Sequence, residues 1–210
     1  MCTLARISVD HPLMDVRFWL MDFSVFFCML GTLILYIIYK DFAEYMGVGE
    51  HYSVALSGIG IGDVIGRVGT GFLASTKYVD AIFAYGLAQL FCCFVMVGHL
   101  FISDMAGLVG LTAAFGTLYG SQNVLIAVAP SACFGREKLV IVFGHILFLG
   151  GVGALIGAPI AGAIVDYTGM YEGVIWFTIG NLFIGSVLMF LCYIVDRTMK
   201  QQRDKKVDEL

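Results

Sequence analysis

The 210-residue chain is 60% hydrophobic, only 13% charged and has a mean hydropathy of +0.90. A soluble domain carries about a quarter charged residues, so this composition excludes a single water-soluble core and marks an integral membrane protein. The net charge of −4 is small and spread out, which gives no support to nucleic-acid binding.

The chain opens on a short segment, residues 1–17, assigned to the cytoplasm. Its first fifteen residues, "MCTLARISVDHPLMD", lack the apolar core of a secretory leader, so no signal peptide is predicted. A bilayer interior of about 30 Å takes roughly 20 apolar residues in a helix. Six segments meet that requirement, and together they predict an all-α bundle over 18–195. The first is Phe18–Tyr39, with Asp22 near its start, where the carboxylate is expected to reach the interface.

The second span, Ser53–Ala74, contains "GIGDVIGRVGTG". This run is no phosphate loop, because Walker A needs a lysine followed by Ser/Thr, and the dinucleotide fingerprint needs glycine where Ile65 stands. At about 100° per residue, Gly58, Gly62, Gly66 and Gly69 share one face, predicted to pack against another helix. Asp63 and Arg67 form a charged stripe beside it, and Ile61, Val64, Ile65 and Val68 form an aliphatic third face. Glycines four apart let two backbones approach closely where lipid gives no hydrophobic drive. A charge at the centre of a spanning helix costs about 2.5–3.5 kcal/mol on insertion scales. Two readings of the pair stand side by side. In one, Asp63 and Arg67 neutralise each other as an i, i+4 salt bridge. In the other, Arg67 binds an anionic substrate while Asp63 takes up a proton.

The third span is Ala81–Ile102, with His99 near its end, and the fourth is Ala106–Ala129. The fifth, Leu139–Val165, carries Gly150, Gly151, Gly153, Gly157 and Gly162, together with Pro159, which removes a backbone donor and predicts a local kink. His145 lies in this span with no acidic partner at ligand spacing, and a lone histidine there reads first as a hydrogen-bonded packing residue. The sixth span is Gly173–Val195. The remaining residues, 196–210, read as a charged cytoplasmic tail that serves only to anchor topology. The cysteines Cys2, Cys28, Cys92, Cys93, Cys133 and Cys192 show no CxxC or Cys/His spacing, so they are read as packing residues with no disulfide, metal or cofactor.

Six spans place both termini on one side. That side would hold Arg6, Arg17, Lys77, Arg136, Lys138, Arg197, Lys200, Arg203, Lys205 and Lys206, against Lys40 alone on the other. Lysine and arginine collect on the cytoplasmic face, so both termini are predicted to be cytoplasmic.

"ALSGIGIGDVIGRVGTGFLAS" (Ala55–Ser75) resembles the eighth helix of the monocarboxylate transporters of the major facilitator superfamily. "FGREKLVIVFGHILFLGGVGALIGAPIAGAIVDYTGMYEG" (Phe134–Gly173) is similar to the link into their eleventh helix, that helix, and the turn into the twelfth. The resemblance runs from about Phe18 to Arg197. It implies the six-helix second half of a twelve-helix transporter, and a protein that is not an enzyme. It further implies that Arg67 meets a substrate carboxylate and Asp63 couples the proton. Within "YGSQN", Tyr119 and Asn123 stand where the family presents an aromatic and a small polar residue to substrate. The family often has phenylalanine and serine there.

The resemblance thus implies proton-coupled symport of small monocarboxylates or related organic anions across the plasma membrane. The implied partners are the anion, the proton, the lipid bilayer and a complementary six-helix half or another copy of the chain. A half-length match also implies a truncated isoform, an incomplete gene model or one piece of a split transporter. The competing reading is a non-transporting half that acts as an interaction or regulatory partner of a full transporter. An intramembrane enzyme finds no support, since no Ser/His dyad, paired aspartates on two helices or metal motif appears.

Overall fold

The computed structural model describes residues 12–45, 47, 52–76, 79–102 and 104–208. They form a short 3-10 turn, Pro12–Met14, and six long helices. We number these α1 (Val16–Tyr45), α2 (Tyr52–Ser75), α3 (Ala81–Gly98), α4 (Met105–Phe134), α5 (Leu139–Thr168) and α6 (Glu172–Asp208). Among the described residues every regular element is helical.

The helix ends follow local chemistry. Asp80 caps α3, its carboxylate accepting from the amides of Ile82 at 3.0 Å and Phe83 at 3.4 Å, and Asp104 caps α4 by accepting from Gly107 at 3.1 Å. Such caps satisfy amides that have no partner inside the helix. Gly169 ends α5 in the left-handed region at φ 66°, a conformation that glycine adopts without strain.

Three helices end elsewhere than the predicted spans. α4 continues past Ala129 through Pro130 to Phe134; beyond the proline, the Ser131 hydroxyl donates to Val128 O at 2.7 Å. α3 stops at Gly98, before Ile102, and α6 runs past Val195, the charged segment continuing the helix to Asp208.

By length and composition, α3, α5 and the Glu172–Gln202 stretch of α6 are apolar enough to cross a bilayer. In α2, glycines and the Asp63–Arg67 pair dilute the apolar character.

The helices run up and down. At one end Arg17 of α1 meets Asp196 of α6 and lies 5.5 Å from the Phe134 ring at the end of α4. At the other, Phe42 of α1 lies 6.4 Å from Tyr171, which precedes α6. The principal helix pairs are α2 with α4, α1 with α5 and α6, and α3 with α4 and α6.

Close approach at α2–α4 comes from glycine on both sides. A Cβ on Gly62 would lie 2.8 Å from Thr117 N, and one on Gly66 would lie 2.8 Å from Thr117 C. In return, a Cβ on Gly116 or Gly120 would lie 2.9 Å from the backbone of Ile59 or Asp63. Gly58 faces Thr112. Gly69 meets nothing within 4 Å, so the packing face ends at Gly66, one residue short of the predicted set. The α1–α5 contact is similar, with Gly150, Gly153 and Gly157 of α5 against Val25, Met29, Phe26 and Leu30 of α1.

Several polar groups inside the bundle are paired across helices. Ser24 donates to Gly185 O at 2.7 Å, Ser186 to Gly86 O at 2.9 Å and Thr178 to Gly31 O at 3.2 Å. Gln122 links two thiols, accepting from Cys28 at 3.0 Å and donating to Cys92 at 3.2 Å. All five described cysteines are free, and Cys2 lies outside the described residues.

Candidate functional site

The charged stripe of α2 lies at the edge of the α2–α4 contact. Arg67 Nε stands 2.8 Å from Asp63 Oδ2, one helical turn away. The arginine side chain is 51% exposed and the aspartate 21%, so the pair is partly open on a helix face. Only Nε of the guanidinium is engaged. Among the described residues its two terminal nitrogens carry no hydrogen bond. Asp63 Oδ1 is buried and has no partner among those residues either. The pair therefore presents the two terminal nitrogens of the guanidinium, a planar fork that suits a carboxylate, beside the second carboxylate oxygen of Asp63.

Aromatic groups from two other helices lie on the same side of the bundle. Tyr119 of α4 and Tyr36 of α1 have ring centroids 5.9 Å apart. Phe115 stacks on Tyr119 at 6.1 Å and an interplanar angle of 6°. Gly120 brings α4 against the backbone of Asp63, and this contact sets Tyr119 beside the charged stripe. Of the residues singled out from the sequence, Asp63, Arg67 and Tyr119 thus come together. Asn123 lies one turn further along α4, and its amide donates to Tyr119 O at 3.1 Å. Tyr36 was not singled out; in "LILYIIYK" it carries no mark that separates it from an interfacial aromatic.

The aliphatic face of α2 is uncovered. Ile61, Val64, Ile65, Val68, Phe72 and Leu73 are all exposed. The charged stripe thus has packed helix on one side and open apolar surface on the other.

A second pair, with its carboxylate buried, overturns two expectations. Asp22 does not reach the interface, because its side chain is 0% exposed. His145 is not alone, because its Nδ1 lies 2.9 Å from Asp22 Oδ2. The partners sit 123 positions apart in the sequence, beyond any local spacing rule. His99 does behave as a packing residue, buried with Nδ1 3.0 Å from Val95 O.

A third set of charges joins the helix ends. Arg17 pairs with Asp15 and with Asp196, each at 2.6 Å, and Lys200 pairs with Asp196 at 2.6 Å. Asp196 is buried, so the segment read as a plain tail ties α6 to α1. Burial works to raise the Asp15 carboxyl, but the hydrogen bonds and charge of Arg17 outweigh it and hold the group below its ordinary range.

Curated proteins match nearly the whole chain. It is 26% identical over 207 residues to monocarboxylate transporter 12-B of Danio rerio, which covers 95% of this chain and 43% of that protein. The identity is 29% to monocarboxylate transporter 12 of Homo sapiens, over 85% of this chain and 35% of that protein. It reaches 31% with monocarboxylate transporter 3 of Gallus gallus, over 79% of this chain and 31% of that protein. The chain is a relative of the monocarboxylate transporters. These relatives are transporters, not enzymes, and the chain spans less than half the length of each. No family model matches the chain.

Proposed function

We propose that the chain is one six-helix half of a secondary active transporter that moves small monocarboxylates or related organic anions together with a proton. The observation that carries this reading is the half-open Asp63–Arg67 pair, set on the helix face that packs beside Tyr119 and Tyr36. Ionisable groups inside membranes mark transport pathways. In carriers of this kind, substrate sits near the midplane between two structural repeats.

In the empty state Asp63 neutralises Arg67, so the helix face carries no net charge. An arriving carboxylate engages the terminal nitrogens of Arg67. A proton on Asp63 then releases its hold on Nε, and the occupied site is again neutral. Proton and anion therefore load together, because either alone leaves one uncompensated charge in apolar surroundings. Tyr119 and Tyr36 line the approach, and Asn123 supports Tyr119 from the next turn. Gly58, Gly62 and Gly66 hold α2 on α4 and keep the stripe in register with Tyr119.

All six helices span the membrane in this reading. Arg17, Arg136, Lys138, Arg197, Lys200 and Lys205 belong to the cytoplasmic end, and Lys40 to the opposite one. Arg6 and Lys77 lie outside the described residues, as do the side chains of Arg203 and Lys206. The membrane is the plasma membrane. A complementary six-helix half or a second copy covers the apolar face of α2 and closes the site. That uncovered face also favours a second reading, in which the chain docks on a full transporter without transporting. Uptake by the chain with no other carrier present counts against this second reading.

Arg67→Gln in the assembled carrier tests the assignment. Saturable, proton-linked uptake of a small monocarboxylate is expected to disappear at unchanged surface expression. Uptake equal to that of the unaltered protein overturns it.

A further inference from the structure

The Asp22–His145 pair is used by nothing described so far. Asp22 is six residues along α1 from Val16 and His145 six along α5 from Leu139. Each is therefore about 9 Å inside its helix start, at 1.5 Å per residue. Asp22 is 0% exposed, whereas the His145 side chain is 34% exposed. The rings of Phe18, Trp19 and Phe148 surround the imidazole, with centroids 5.1, 5.9 and 6.4 Å away. Although Nδ1 and Oδ2 are 2.9 Å apart, the contact lacks hydrogen-bond alignment, and Asp22 Oδ1 has no partner among the described residues.

The charge around the pair is sparse. On α5, His145 Nδ1 lies 2.9 Å from Asp22 Oδ2. On α6, Asp196 pairs with Arg17 and Lys200, and Cys192 contacts Arg17 O. From α4, Cys133 reaches Asp196, and on α3 the Tyr85 hydroxyl is buried with no partner among the described residues. On α2, Asp63 and Arg67 pair with each other. On α1 itself, Arg17 lies five residues from Asp22 and is engaged by Asp15 and Asp196.

An isolated buried carboxylate is costly unless it is neutralised. With one proton between them, on the ring or on the carboxyl, Asp22 and His145 carry no net charge. Without it, a bare carboxylate faces a neutral ring in apolar surroundings. Releasing the proton therefore requires water at Asp22, and α1 must part from α5 to admit it. The half-exposed ring gives protons entry. The contact that must part is the smooth one, built on Gly150, Gly153 and Gly157.

We infer that Asp22 and His145 form a second proton-binding site, separate from Asp63, whose occupancy holds α1 against α5. Binding takes one proton from water and changes no other bond. The use of this proton in coupling rests on the transport reading, but the binding itself does not.

The test uses the purified 210-residue chain in lipid nanodiscs. The pH titration of the imidazoles is followed by NMR of labelled histidine, and that of the carboxyls by infrared difference spectroscopy. Asp22→Asn is expected to displace the His145 titration by a pH unit or more. His145→Gln is expected to displace the carboxyl component that Asp22→Asn removes and Asp63→Asn retains. Unchanged titrations in both variants overturn the site. If either single variant fails to fold, the exchanged chain, with Asp22→His and His145→Asp together, is titrated instead. Coupled titration there supports the pair, and independent titration overturns it. Proton-linked uptake by the assembled carrier separates the two proposals. Coupled titration without any uptake by the unaltered protein sinks the transport reading and leaves the site standing. Uptake with the same pH profile in His145→Gln sinks its role in coupling.

Discussion

Among the described residues, Arg67 and Arg17 form ion pairs that are built in opposite ways. Asp63–Arg67 lies within one turn of one helix, half-open, with only Nε engaged by the carboxylate. Arg17 joins three segments, with Asp15 before α1 on one side and Asp196 of α6 on the other, and it is only 12% exposed. An i, i+4 pair adds a few tenths of a kcal/mol to its own helix and ties nothing together. An ion pair between helices fixes their relative position, and losing one partner strands the other. Its locality therefore leaves the α2 pair free to bind and release, while its span commits the α1–α6 pair to structure.

The α2–α4 contact underlies that freedom, and disturbing it has the largest expected effect. In Gly66→Leu the new side chain meets the backbone of Thr117 and Ser121, which cannot rotate away. Overpacking of this kind costs about 1–3 kcal/mol, and more where nothing relaxes. Gly69→Leu places the same group in open space and is expected to leave stability unchanged or slightly raised, since leucine is the better helix former. Thermal unfolding in mild detergent compares the two. Equal losses would show that α4 does not read α2 through its glycines.

Next in size is Asp196→Asn. It removes the carboxylate that Arg17 and Lys200 share, and a hydrogen bond to a charged group contributes about 1.5–3 kcal/mol. Asp15 still holds Arg17, so a loss of about 2 kcal/mol is expected. The same unfolding measurement checks it, and a loss below about 0.5 kcal/mol would place Asp196 among surface pairs.

These two regions also mark how far the sequence could be read. The glycine face, the charged stripe and the aliphatic face of α2 repeat over a few turns of one helix, and a helical wheel recovers such local patterns. The wheel gives an angle but not the length of a contact, so it included Gly69, where α4 is no longer near. Number and type of helices followed from apolar runs, whereas ends did not. Pro130 and the charges after Val195 are local stop signals that the surrounding helix overrides. Asp22 with His145, and Arg17 with Asp196, join residues far apart in sequence and exist only through packing. Tyr36 was hidden for the same reason, because its meaning comes from Tyr119 on another helix.

A smaller effect separates the pairs by pH. Asp15 has its carboxyl held below the ordinary value of 3.8, so the folded state binds its proton more weakly than the unfolded chain does. The stabilisation is complete above that ordinary value and is lost as pH falls through the lower folded value. Asp15→Asn is therefore expected to flatten the acid limb of stability against pH below about 3.8. Unfolding midpoints across that range decide it, and an acid limb identical to that of the unaltered protein counts against the pairing.

The smallest stability effect belongs to the pair with the largest proposed functional role. Asp63→Asn keeps the side chain's shape and removes its charge, so Arg67 loses its only described partner. Arg67 is half-exposed, and partly solvated pairs are worth about 0.2–1 kcal/mol, so the unfolding midpoint is expected to move little. Uptake by the assembled carrier is expected to lose its dependence on the proton gradient, because nothing then exchanges a proton for the hold on Arg67. Anion binding itself should persist, since the fork remains and the competing carboxylate is gone. A variant with a large stability loss and unaltered proton dependence would reverse the roles assigned here, making the α2 pair the structural one.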